Sequence, residues 1–145
     1  MFLYIYMMKK GISFRSSCPI STTLDILGDK WSLLIVRDMA FKGMSTYGEF
    51  LKAGEGIATN VLADKLAHLE CGGIISKEKH PASKAKILYR LTPKGIDLIP
   101  ALVEIILWSE KYHDVHEQAT KFAKMAKKDK AGVIKMLTEA LTAKR

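Results

Sequence analysis

The sequence predicts a mainly helical α+β chain in which one small β-hairpin interrupts a run of helices. Three observations carry this. Apolar residues recur at helical spacing in several separate stretches, with Leu62, Leu66 and Leu69 as one example. Two strand-like runs, "IISKEK" and "KILYRL", flank a Pro-containing turn, "HPASKA", in mid-chain. Capping residues and glycines stand where those helices would begin and end. At 145 residues, 48% hydrophobic and 26% charged, the chain can build one domain with a real core and still carry an appendage.

The elements follow in order. "MFLYIYMM" at 1–8 is apolar, but it has no basic leader or cleavage site and is far too short to span a bilayer. Residues 1–15 are therefore expected to form a disordered or dimer-packed arm; alternatively Met7 or Met8 is the start of the chain. The first helix follows "CPIS", since Pro19 suits a helix start and Leu24, Leu27, Leu34 and Ile35 form a stripe. Gly28 interrupts that stripe, so a second short helix from "DKWSLLIVRDMA" is an alternative. "STYGEFLKAG" supplies the next helix, capped by Ser45 or Thr46 and stopped by Gly54. After "EGI" comes a helix over about 58–70, stopped by Gly72-Gly73, then the hairpin, then a helix restarting at Thr92-Pro93. The tail breaks between Asp129 and Gly132. Phe122, Met125 and Ala126 form one short stripe there, and Val133, Met136, Leu137 and Ala140 another.

The net charge of +8 points to a polyanionic partner, and its placement says more than its total. Between 77 and 90, Lys77, Lys79, Lys84, Lys86 and Arg90 face only Glu78, and residues 121–145 carry eight basic side chains against two acidic ones. The stretch between these blocks, 91–120, is acidic and aliphatic. Two cysteines are too few for a disulfide scaffold, so a reducing cytoplasm is expected.

Helix, short turn, second helix and then a two-stranded hairpin is the order of a winged helix-turn-helix. In such a module the second helix enters the DNA major groove with residues of its N-terminal half. The leucines of the 58–70 helix would anchor it, leaving Thr59, Asn60, Ala63 and Asp64 outward with Lys65 at the margin. Asn can pair with adenine, Thr can meet a thymine methyl, and Lys can reach guanine or phosphate. Asp64 either accepts from cytosine or orients Lys65. Thr46, before the preceding helix, joins this set, as do His80, Lys84 and Lys86 of the hairpin, over about 77–90, as phosphate or minor-groove contacts. The competing reading of the hairpin is a solvated edge kept soluble by charge.

These blocks resemble the HxlR-type family of winged helix-turn-helix regulators, related in shape to the MarR group. The resemblance rests on "CPI" at 18–20, "LDILGDKWSLLIVRDM" at 24–39, "TYGEFL" at 46–51, "GIATNVLADKLAHLECGGII" at 56–75, "YRLTPKGIDLIPAL" at 89–102 and "LWSEKY" at 107–112. It gives a domain over 16–114 and leaves 115–145 as a basic helical tail. It implies a cytoplasmic, homodimeric transcription factor that binds a pseudo-palindromic double-stranded operator and answers an unknown small-molecule or oxidant effector. Ala58 departs from the family, which usually has Ser there, so that helix cap or phosphate contact must come from elsewhere. The alternative function is a basic adaptor that binds RNA or a protein through the same fold.

The stretch "LIPALVEIILW" is apolar on more than one face, which predicts a dimer interface of Leu98, Leu102, Ile106, Leu107 and Trp108. Cys18 precedes Pro19 at a helix start, where the positive end of the helix dipole favours an anion. It is a candidate redox sensor, permitted by the resemblance, with a packed small hydrophobe as the other reading; Cys71 reads as structural. His113 and His116 lie close together but lack a third ligand, so no metal site is expected and a solvated helix end is the better reading. No catalytic set, cofactor motif or membrane segment is evident.

Overall fold

The computed structural model describes residues 11–145, so the first ten residues of the N-terminal arm expected over 1–15 lie outside the described residues. The chain forms two compact units, one ending at Gly95 and one from Ile96 to Arg145. In the first unit α1 (Pro19–Leu27) and α2 (Ser32–Phe41) replace a single first helix. Gly28 closes α1 with its amide on the Leu24 carbonyl, and only glycine fits there, since a Cβ would lie 2.4 Å from the Leu24 carbonyl oxygen. Asp29 then starts the next helix by accepting from the Trp31 and Ser32 amides at 2.8 and 2.9 Å.

Helix α3 (Tyr47–Leu51) is shorter than the sequence suggested and α4 (Thr59–Cys71) matches its expected span closely. Thr46 caps α3, exchanging hydrogen bonds with Glu49 in a reciprocal capping box. Leu62, Leu66 and Leu69 of α4 are buried with Ile35, Val36 and Met39 of α2 and with Phe50, which meets Tyr89 edge-on. Burying one such leucine contributes roughly 1.5–3 kcal/mol, so α4's inner face is held by core packing and its outer face is left over.

Strands β1 (Ile75–His80) and β2 (Ser83–Leu91) pair antiparallel with Ile75 opposite Leu91 and Lys79 opposite Ile87. The second strand begins earlier than expected because His80 pairs with Ser83 across a tight Pro81-Ala82 turn. Lys84, Ala85 and Lys86 bulge between two paired positions. Thr92 ties off the hairpin: its hydroxyl donates to the Gly73 carbonyl at 2.5 Å and accepts from Gly95 N at 3.1 Å. Gly95 must be glycine, since a Cβ would lie 2.2 Å from the Ile74 carbonyl oxygen. A short α5 (Pro93–Ile96) follows, and the helix restarted at Thr92 does not run on. Pro100, with no N–H and a ring that crowds the preceding turn, forces a new start.

The second unit packs α6 (Ile99–Tyr112), α7 (Glu117–Lys128) and α8 (Lys130–Ala143) on one another. His116 caps α7 through Nδ1, which accepts from Ala119 N at 3.1 Å, and Asp129 caps α8 at Gly132 N. Lys127 and Lys130 reach Glu110 and Glu104 of α6 at 2.7 and 2.5 Å. The buried positions of the tail are Ala123, Ala126 and Val133. Met125 and Met136, expected in the tail's apolar stripes, are exposed instead. Met125 lies about 100° round the helix from Ala126 and about 200° from Ala123, which turns it away from the buried face.

Candidate nucleic-acid interface

The outer face of α4 is built by subtraction. Its leucines take the inner face, and Thr59, Asn60, Ala63 and Asp64 are left exposed, with Lys65 half-buried at the edge. The loop before it turns at Gly54 and Gly56, whose φ values of 91° and 75° lie in the left-handed region that favours glycine. Arg37 holds that loop from α2, bonding Glu55 at 2.9 Å and Asp38 at 2.8 Å. Desolvation works against the Arg37 charge, but hydrogen bonds to Glu55 and Asp38 outweigh it and raise its pKa. The Tyr47 hydroxyl donates to the Thr59 carbonyl at 2.9 Å and so fixes the first turn of α4 from the neighbouring helix.

Ala58 occupies the N-cap with extended backbone and makes no side-chain cap bond. The first amides of α4 therefore lack the partner that Ser would supply there. Lys65 stands among carboxylates. Its Nζ is 3.9 Å from Asp64 Oδ2, and its charge acts on Asp29. Burial pushes the Asp29 carboxyl up; the Ser32 hydroxyl, the Trp31 and Ser32 amides and the Lys65 charge outweigh it and hold it below its ordinary 3.8. Asp64 thus pairs with Lys65 at the margin of α4's outer face.

The hairpin beside this helix splits its cations in two. Arg90 is bound across the ladder to Glu78 at 2.7 Å, and Lys77 pairs with Glu70 at 3.6 Å. Lys79, Lys84 and Lys86 are exposed near the tip, the last two in the bulge. His80 is half-buried, and its Nδ1 accepts from Ala82 N at 3.1 Å, so this ring shapes the turn. Thr46 is committed to its capping box with Glu49. The structure thus brings Thr59, Asn60, Ala63, Asp64 and Lys65 onto one helix and Lys84 and Lys86 onto one tip, and gives Thr46 and His80 local backbone work. Tyr47 and Asp29 were not singled out in the sequence, where Lys79 figured as one of the hairpin's block of cations. The Asp29-x-x-Ser32 spacing was a readable capping signal; Tyr47's bond is tertiary and leaves no local trace.

Among the interface residues expected on and just before α6, Trp108 is exposed, while Ile106, Leu107 and Leu98 are half-buried. Leu102 is only 6% exposed and belongs to the core, which corrects its assignment to a surface. The exposed apolar stripe is Ile105, Trp108 and Tyr112, at helical spacing one position away from Ile106. Cys18 is exposed at the N-cap of α1. Burial, with the Glu70 charge, raises the Cys71 thiol pKa. Among the described residues no group of three or more metal-ligating side chains occurs, and no helix is long and apolar enough to cross a membrane.

A helix pair whose second member presents a polar face beside a basic two-stranded hairpin defines a winged helix-turn-helix module. Residues 26–117 match the family model described as HxlR-like helix-turn-helix, and the chain belongs to that family of regulators. It is 37% identical over 86 residues to an HTH-type transcriptional regulator, sll1512, of Synechocystis. That alignment covers 59% of this chain and 63% of the relative, less than two thirds of its length. YdeP of Bacillus subtilis, also described as an HTH-type transcriptional regulator, is 34% identical with 73% of this chain and 85% of that protein covered. Among solved structures, the redox regulator HypR in its oxidised form superposes with a TM-score of 0.60 at 32% identity, covering 68% of this chain and all of that one.

Proposed function

We propose that this regulator reads one double-stranded DNA sequence as a homodimer, with α4 in the major groove and the hairpin tip on adjacent phosphates. The observation that supports it best is the uncommitted outer face of α4. Thr59 and Asn60 have exposed side chains at the N-terminal end of a helix whose other face is fully used in the core. That end is the one a helix-turn-helix presents to base edges. Lys79, Lys84 and Lys86 add phosphate affinity without sequence information. The Ile105, Trp108 and Tyr112 stripe supports pairing of two copies, which turns two weak half-sites into one specific site.

Cys18 supports an oxidant as the effector, because it is exposed at a helix start and the chain resembles a redox regulator. Cys71 is less suited, since burial and Glu70 disfavour its thiolate. Selection of bound duplexes from a random pool tests the main reading. The expected result is a two-fold symmetric motif whose footprint resists excess RNA competitor. Recovery of no motif, or displacement by RNA at equal concentration, would reject it in favour of an adaptor.

A further inference from the structure

The tail beyond residue 117 lies outside the family match, yet it carries the densest block of cations in the chain. Those cations do two different jobs. Lys127 and Lys130 are bonded to Glu110 and Glu104 and pin the tail to α6. Lys121, Lys124 and Lys128 stand on the face of α7 opposite the buried Ala123 and Ala126, all exposed, at steps of three and four residues. Lys121 meets only Glu117, at 3.0 Å, a fully solvated pair of the kind that contributes little. Lys124 and Lys128 have no ion pair among the described residues.

We infer that Lys121, Lys124 and Lys128 of α7 form a second phosphate-binding surface for duplex DNA, which rests on the reading of the protein as a DNA-binding regulator. Spacing supports duplex backbone. Seven residues of helix advance about 10.5 Å, and one DNA strand presents a phosphate about every 3.4 Å of axis. Three lysines therefore cover the span of about three phosphates on one strand. The other polyanion that a lysine stripe fits is an anionic membrane, which an amphipathic helix enters with its apolar face. Here that face is spent: Ala123 and Ala126 are wholly buried within the unit, and only Met125 of the larger apolar side chains on α7 is exposed. A purely electrostatic partner remains.

The test compares the full chain with a Lys121→Ala, Lys124→Ala, Lys128→Ala variant on the selected duplex and on random-sequence duplex, across a salt series. Neutralising Z phosphates gives a slope of log affinity against log salt near −0.9Z. The variant is expected to lower that slope by about two to three on both duplexes, with hydroxyl-radical protection at base-contacted positions retained. A Lys135→Ala variant, on another helix and outside the stripe, is expected to leave the slope unchanged. Equal slopes for wild type and triple variant overturn the proposal while leaving the α4 reading standing. So does sedimentation of wild type, but not the variant, with phosphatidylserine vesicles alongside equal DNA slopes. Failure of wild type to bind any duplex removes both readings.

Discussion

Asp29→Ala should destabilise the first unit by about 2–4 kcal/mol. The carboxylate accepts from the Trp31 and Ser32 amides at 2.8 and 2.9 Å and from the Ser32 hydroxyl at 2.5 Å. Losing the cap-like amide bonds costs roughly 1 kcal/mol. Ser32 is completely buried, so its stranded hydroxyl adds about 1–3 kcal/mol. Asp29→Asn keeps an oxygen for the amides and should lose less than Asp29→Ala. The effect also depends on pH. The folded carboxyl titrates below its ordinary 3.8, so the folded state binds fewer protons than the unfolded state in that window. Its stabilisation is complete above the unfolded value and is lost as pH falls through the lowered folded value. Urea unfolding of wild type and Asp29→Ala at neutral pH and again below pH 3.8 measures both effects. A neutral-pH difference under about 0.5 kcal/mol, or one that grows on acidification, would refute the reasoning.

Further expectations concern caps, assembly and the thiol. Ala58→Ser should stabilise α4 by about 0.5–2 kcal/mol, because the backbone there is already extended and only the side-chain acceptor is missing; an unchanged urea midpoint would contradict this. Trp108→Glu and Ile105→Glu should each shift sedimentation from dimer to monomer by placing charge in a dry interface, whereas Met136→Glu, on another helix, should not. A folded dimer at micromolar concentration in both α6 variants would reject the interface. Mild oxidant should change operator affinity in wild type and in Cys71→Ser but not in Cys18→Ser; an indifferent wild type returns Cys18 to a structural role.

Much of the architecture was legible because it is local. The leucine spacing of α4, the Thr92 cap, the Asp129 break and the Pro81 turn are each written within a few residues, and each stands where that chemistry put it. What the sequence did not reveal depends on distant partners. Leu102 and Ile105 are both aliphatic, and only the packing of the second unit decides that the first is buried and the second exposed. The same holds for Met125 and Met136. Tyr47's grip on Thr59 and Arg37's hold on Glu55 join residues 12 and 18 positions apart. Thr46 and His80 showed the polar chemistry of a binding residue, but the fold engages both at the backbone first.

In the proposed mode of binding, α4 reads bases while the hairpin tip holds phosphates. Affinity of Asn60→Ala, Lys65→Ala and Lys84→Ala proteins for the selected duplex and for random duplex, each over a salt series, tests it most directly. Asn60→Ala and Lys65→Ala should weaken the selected duplex by about 1–3 kcal/mol and random duplex far less. Lys84→Ala should weaken both alike and lower the salt slope by about one. Unchanged preference for the selected duplex in both α4 variants would show that this helix does not read sequence.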